Sequence, residues 1–152
     1  RSSLAALPLP DPAVTRLREH NVAVFDTLHA RLFPQTYASG TQLRAREPEH
    51  SAIFTLVEDN QLLGYVAGKV MLDTQEGYID YVGTADRARR RGVARRIVAT
   101  TLHWMFSFPE VQLVNLTVDA DNAAADALYR SLGFERERVT CVYRRQVAPS
   151  KA

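Results

Sequence analysis

Six arginines fall between residues 87 and 96 (Arg87, Arg89, Arg90, Arg91, Arg95 and Arg96), with Gly92 among them. They stand where a run of strand character (Tyr78, Ile79, Tyr81, Val82, Thr84) gives way to apolar residues at helical spacing (Ala94, Ile97, Val98, Thr101, Leu102, Met105). A tight strand-to-helix turn leaves the first backbone N–H groups of the helix without partners. Those donors and the helix dipole together attract anions. Gly92 removes a side chain where a phosphate would have to approach backbone. The stretch therefore reads as a diphosphate cradle. Two other readings stay open on this stretch alone: a solvated arginine face on an amphipathic helix, and a nucleic-acid patch, since clustered arginines also neutralise a phosphate backbone.

Other reactive residues give less. Cys141, the only cysteine, excludes an internal disulfide and sits in an apolar strand-like run (Val139, Cys141, Val142, Tyr143), which favours an inert buried thiol. The four histidines (His20, His29, His50, His103) lack metal-ligand spacing, so no metal is expected. The 152 residues suffice for one domain with one core. With 46% hydrophobic and 24% charged residues, the composition is that of an ordinary soluble globular protein. A net charge of +2 excludes a polycation built to coat nucleic acid. No apolar run approaches membrane-span length and no secretory signal is present, so a cytoplasmic enzyme is the default expectation. The start at Arg1 implies that a tag or upstream sequence has been removed.

The elements needed to hold the cradle can be read in order. Residues 1–10 form an extended lead-in, 11–148 a single domain and 149–152 a tail. Asp11 and Pro12 predict a helix start, followed by a stripe of Val14, Leu17, Asn21, Val24, Phe25, Leu28 and Leu32 and stopped by Pro34. The polar segment 35–50 is a loop or short helix, suited to the rim of a pocket. Two strand runs flank Glu58-Asp59-Asn60-Gln61 as an antiparallel hairpin, with Gly64 and Gly68 as candidate bulges. Pro109 stops the central helix, and 111–118 is another strand. Asp121 or Asn122 caps a short helix that Gly133 ends in a left-handed conformation, with Phe134 as hydrophobic clasp. A last strand is expected over 138–147.

Two motifs in this order carry a resemblance. Arg89-x-x-Gly92-x-Ala94, followed after a helix and a strand by Asn122-x-x-Ala125-x-x-Leu128-Tyr129-x-x-x-Gly133-Phe134, resembles the GCN5-related N-acetyltransferase (GNAT) superfamily. The resemblance spans about residues 52–143. It implies an α/β fold with a mixed, mostly antiparallel sheet, helices on both faces and splayed central strands. It also implies transfer of an acetyl group from acetyl-CoA to a primary amine. The pantetheine arm would pair with backbone at Val82, Gly83 and Thr84. The pyrophosphate would rest on the turn, at the backbone of Arg90, Arg91, Gly92, Val93, Ala94 and Arg95, with Arg89 at the motif's first position. Asn122 would touch the cofactor beside the splay, and Tyr129 would donate a proton to the departing thiolate.

Aminolysis of a thioester also needs the carbonyl polarised, which an unpaired strand N–H near Val82 to Thr84 would do. The attacking amine must lose a proton, because a lysine-like amine has a pKa of about 10.4. Relatives with a Glu on the later strand have Thr117 as its counterpart here, which cannot act as a base. Strand alternation puts Tyr78, Asp80 and Val82 on one face, and the resemblance implies a carboxylate base near this position, so Asp80 is the candidate base, with Glu76 and Asp119 as alternatives. The expected partners are acetyl-CoA and an amine-bearing acceptor, without nucleic acid or membrane, and homodimerisation is left open. Direct attack in a ternary complex is expected, with no acyl-enzyme. The rivals are a catalytically inactive CoA-binding module of this fold and a nucleic-acid binder using Arg87 to Arg96. The acceptor pocket is expected from residues 30–50 and the last strand turn, whose mixed charges (Arg44, Arg46, Glu47, Glu49) leave the acceptor undefined.

Overall fold

Asp59 and Asn60 both adopt left-handed backbone, with φ of 50° and 58°. That is what a two-residue hairpin turn matched to strand twist requires. In the computed structural model, which describes residues 4–139, this turn joins β2 (Ser51–Glu58) to β3 (Gln61–Met71). A third strand, β4 (Glu76–Thr84), continues the antiparallel meander, and β1 (Val14–Arg16) pairs antiparallel with the outer side of β2. After β4 the chain forms a helix, α3 (Val93–Phe106), before β5 (Leu113–Leu116) returns parallel to β4. A parallel neighbour needs such a crossover. The sheet order is β1-β2-β3-β4-β5.

Helix α3 lies on one face, and α1 (Val22–Leu32) with the short α2 (Gly40–Arg44) covers the other. Helix α3 buries Val93, Ile97, Val98, Leu102 and Met105. Each such side chain taken fully out of water is worth about 1.5–3 kcal/mol. Close approach depends on β3: a Cβ at Gly68 would lie 2.5 Å from the Met105 methyl. On the opposite face Phe25 meets the Tyr65 ring edge-on at 4.8 Å. The expected bulges exist, but the extra residues are Leu63, beside Gly64, and Asp80, opposite Gly68. No helix of the described residues is long and apolar enough to cross a membrane.

The first helix differs from expectation. Val14 to Arg16 is a strand, a 3-10 turn follows at Glu19–Asn21, and α1 begins only at Val22. Asp11 and Pro12 form a turn instead: the Asp11 carboxylate accepts the Ala13 N–H at 2.9 Å, and the Val14 N–H bonds back to the Asp11 carbonyl. Asp-Pro serves turns as readily as helix starts, and pairing with β2 decides between them. Val24, assigned to the apolar stripe, is 50% exposed, whereas Phe25 and Leu28 are buried. The lead-in contains a 3-10 turn at Leu4–Ala6. The strand expected over 138–147 falls mainly outside the described residues, as do Cys141 and the tail.

Candidate active site

Strand β4 changes the face it presents halfway along. A Cβ at Gly77 would meet Met105 of α3, whereas one at Gly83 would meet Tyr65 and Leu32 on the other side. Six residues apart, strict alternation would put both on one face. The switch is the bulge: Ala67 pairs with Tyr81 and Gly68 with Ile79, leaving Asp80 unpaired. The expectation that Tyr78, Asp80 and Val82 share a face is thus corrected. Val82 pairs with Val66 on the α3 side, and Tyr78 with Lys69 on the α1–α2 side.

The parting of β4 and β5 follows directly. Their last pair is Ile79 with Leu116, and β4 runs on to Thr84 alone on that edge. Between them opens a cleft of about 1010 Å³. Its walls include Asp80, Val82 and Thr84 of β4, Thr117 and Asp119 after β5, Asn122, and Leu128 and Tyr129 of α4 (Ala123–Ser131). Its far end is the turn, with Arg89, Arg90, Gly92, Val93, Ala94 and Arg95. Gly83 and Arg91, also expected there, are not among its lining residues. The Cα of Gly83 faces Tyr65, and Arg91 turns away to pair with Glu58 at 3.0 Å.

At the turn the first intrahelical bond runs from the Arg96 N–H to the Gly92 carbonyl. The N–H groups of Val93, Ala94 and Arg95 therefore have no carbonyl four residues back, and no side chain caps this end. Gly92 has φ of 72° and Arg90 φ of 62°, so two residues of the turn are left-handed. Nothing lies within 4 Å of a Cβ built at Gly92, so backbone conformation, not crowding, makes glycine fit there. The arginine run divides its labour. Arg87 donates to the Leu62 carbonyl, Arg91 pairs with Glu58, and Arg96 pairs with Asp11 at 2.5 Å and Glu58 at 3.6 Å. Arg89 leans on Asp86 at 3.3 Å, and Arg95 reaches Ser131 at 3.4 Å. Three of the six thus brace the scaffold, which breaks up any continuous basic stripe.

Asn122 caps α4, accepting the Ala125 N–H at 3.1 Å. Gly133, with φ of 87°, ends it: the Phe134 N–H bonds to the Tyr129 carbonyl and the Gly133 N–H to that of Arg130. This double closure brings its own apolar contact, and the Phe134 ring meets the Tyr129 ring edge-on at 5.7 Å. Tyr129 is held half-buried in the cleft wall, and burial pushes its phenol up to about 12.

The α1–α2 side of the bulge carries a cluster that sequence spacing did not reveal. The Asp80 side chain is fully buried. Arg46 holds it through two nitrogens, at 2.7 and 3.4 Å, the Tyr37 hydroxyl donates to it at 2.7 Å, and Lys69 lies at 3.8 Å. The carboxylate expected to act as base is therefore engaged at both oxygens. Burial, then the bond to Asp80, raises the Tyr37 phenol above its ordinary range. The Tyr37 ring stacks on Tyr81 at 5.3 Å, Phe33 packs on Tyr81 at 5.0 Å, and Thr36 bonds the Tyr81 hydroxyl. One signal was present in the sequence: Ser39-x-x-Gln42 forms a capping box that starts α2 at Gly40 and so places Arg46 just past its end. The bulge that aims Asp80 at it has no such signature. Thr117, where a base was sought, bonds Tyr78 at 3.0 Å. Glu47, Glu49 and His50 bring ligand atoms within 4.8 Å of one another on the turn before β2, outside the cleft lining.

Comparison with known proteins agrees with this geometry. The sequence model of the acetyltransferase (GNAT) family matches residues 16–134. The mycothiol acetyltransferase of Streptomyces griseus subsp. griseus is 28% identical over 103 residues, 66% of this chain and 33% of that protein. That of Gordonia bronchialis is 34% identical over 92 residues, 60% of this chain and 29% of the relative. The chain thus spans about a third of the length of these curated relatives. Among solved structures, aminoglycoside N-acetyltransferase AAC(6')-Iy in complex with CoA superposes with a TM-score of 0.71 at 16% identity, covering 88% of this chain and 99% of that one. The ribosomal-protein-S18-alanine N-acetyltransferase from Escherichia coli gives 0.68 at 22% identity, covering 82% and 78%. At these identities the structures speak for the fold alone. Matched over most of its length by the family's own pattern, the chain belongs to the GNAT acetyltransferase family.

Proposed function

We propose that this chain transfers an acetyl group from acetyl-CoA to a primary amine by direct attack in a ternary complex. The observation that carries the reading is one continuous cleft. It leads from the free N–H groups at the start of α3, along the unpaired edge of β4, to the Tyr129 ring.

The turn holds the diphosphate through the N–H groups of Val93, Ala94 and Arg95, with Arg89, Arg90 and Arg95 nearby for charge. The edge of β4 from Val82 to Thr84 supplies backbone to the pantetheine arm, and a backbone N–H there polarises the thioester carbonyl. The amine nitrogen attacks that carbon and loses a proton, and the carbon–sulfur bond breaks. Tyr129 serves the departing sulfur. A phenol near 12 lies well above a thiol's ~8.5, so Tyr129 acts mainly by hydrogen bonding to the sulfur as charge develops. Asp80 is assigned to positioning. Its oxygens fasten the loop bearing Tyr37 to β4, and the amine's proton leaves through water in the cleft.

Calorimetric titration with coenzyme A and a thiol-release assay over a panel of amines test this together. Binding with turnover is the expected result. Binding without turnover on any amine would make the chain a CoA-holding module. Absence of binding would remove the whole reading.

A further inference from the structure

The Asp80 cluster is not balanced in charge. One buried carboxylate faces two cations, Arg46 at 2.7 Å and Lys69 at 3.8 Å. Arg46 takes the carboxylate in two hydrogen bonds, whereas the Lys69 contact is too long to be one. Among the described residues the Lys69 ammonium has no other ion pair. It lies over the Tyr78 ring, 5.7 Å from the centroid, with 36% of its side chain exposed. Two acidic residues of adjoining segments do not complete it. Glu76 is on the same face of β4 but beyond ion-pair distance, and Glu47 likewise forms no ion pair with Lys69, its carboxylate lying 3.7 Å from the His50 Nδ1. Residues 1–3 and 140–152, outside the described residues, contain no Asp or Glu.

The surplus cation stands at a particular place. Lys69 pairs across the sheet with Tyr78, whose hydroxyl meets Thr117 where β5 leaves β4. Asp80, its other neighbour, lines the cleft. Lys69 is not itself among the lining residues; its ammonium stands on the α1–α2 side of Asp80 and shares that carboxylate with the exposed Tyr37.

We infer that the acceptor carries an anionic group, a carboxylate or a phosphate, close to its amine, and that Lys69 receives it. This rests on the acetyl-transfer reading above. A charge-assisted contact at Lys69 anchors one end of the acceptor and leaves its amine to reach the unpaired edge of β4. A polycationic acceptor meets like charge there and finds Asp80 already occupied, so the same residue that selects anions rejects polyamines.

The test measures thiol release from acetyl-CoA with matched amines differing in the charged group: alanine and alaninamide, glucosamine 6-phosphate and glucosamine, and one tetrapeptide with a free or amidated C terminus. Within at least one pair the anionic member should be used with kcat/KM about tenfold or more higher, the effect of one hydrogen bond to a charged group. The pair that responds distinguishes carboxylate from phosphate. Lys69→Met should abolish the difference by raising KM for the anionic member with kcat little changed, and Lys69→Arg should keep it. An amidated amine is the weaker base and more often neutral, so a preference for the acid runs against intrinsic reactivity. Equal or better use of the neutral member in every pair, better use of spermidine than of any anionic member, or no turnover of any pair by protein that binds coenzyme A overturns the inference. Failure to bind coenzyme A, read by calorimetry on the same samples, removes the acetyl-transfer reading and this inference with it.

Discussion

The His29 Nδ1 accepts the Tyr65 hydroxyl at 2.6 Å inside the core, while its Nε2 donates to the Ala38 carbonyl at 2.8 Å. A carbonyl can only accept, so the proton sits on Nε2 and Tyr65 is the donor to Nδ1. The two bonds tie α1 and the loop bearing Tyr37 to the middle of the sheet, and hence to the acceptor side of the cleft.

Removing either partner should therefore destabilise the fold, and removing both should be less than additive. His29→Ala leaves a cavity and an unpaired buried hydroxyl, costing about 2–5 kcal/mol. Tyr65→Phe strands Nδ1 at about 1–3 kcal/mol. In the double variant neither group is left facing a missing partner. Urea denaturation of the four proteins measures the coupling, and strict additivity would mean that the bond does not hold the loop.

The left-handed pair in the turn predicts two different outcomes. Gly92→Ala forces an alanine to φ of 72°, costing about 1–2 kcal/mol, and distorts the donors at the start of α3. It should lower both melting temperature and affinity for coenzyme A. Arg90→Gly relieves the same kind of strain at φ of 62° while adding about 0.4–1 kcal/mol of unfolded-chain entropy. Its melting temperature should be nearly unchanged, with weaker binding and a smaller salt dependence from one lost cation. Equal losses in both variants would show that the turn's geometry is not what binds.

These particular residues mark how far the sequence could be read. Local chemistry was legible: Asp59-Asn60 as a hairpin turn, Asn122 as a cap and Gly133-Phe134 as a helix end each depend on neighbours within a few residues. What depends on pairing was not. Asp11 and Pro12 are good helix-start chemistry, and only the register of Val14 with Leu56 shows that a strand follows. The Asp80 bulge inverts the facing of half a strand, and no residue in β4 announces it. Six arginines look alike in sequence, yet Glu58 and Asp11, distant along the chain, decide which two turn away from the cleft mouth to form ion pairs.

Tyr129→Phe should act on the chemistry alone. The ring's contact with Phe134 and its place in the helix end survive the change, and among the described residues its hydroxyl has no protein partner to lose. Coenzyme A affinity and melting temperature should stay near wild type, while kcat falls about 10²–10³-fold if the hydroxyl hydrogen-bonds the departing sulfur. An unchanged kcat would take Tyr129 out of the reaction. Phe134→Ala provides the contrast, since it loosens the ring and should lower stability as well as rate.

The strap ahead of β1 gives a prediction in pH. The Asp11 carboxylate is held below the usual carboxylate range, first by its hydrogen bond from Arg96 and then by the Ala13 N–H. Its backbone N–H also bonds to Thr100, and the His103 Nε2 donates to the Pro8 carbonyl, so the segment lies strapped along α3. In the unfolded chain this carboxyl titrates near ~3.9. A depressed folded value means that the pair's stabilisation is complete above that pH and disappears as pH falls through the lower folded value. Partial exposure limits the pair to about 1 kcal/mol or less. Asp11→Asn keeps an acceptor for the Ala13 N–H and removes the charge together with the oxygen that accepts the Arg96 Nε–H. Its melting temperature should therefore lie a few degrees below wild type at pH 7, converge with it as pH falls below the unfolded-chain value, and differ less in 1 M salt, where screening acts within ~3 Å. A gap that does not narrow at all as the solution is acidified would locate the loss in packing of the strap, not in the ion pair at the start of α3.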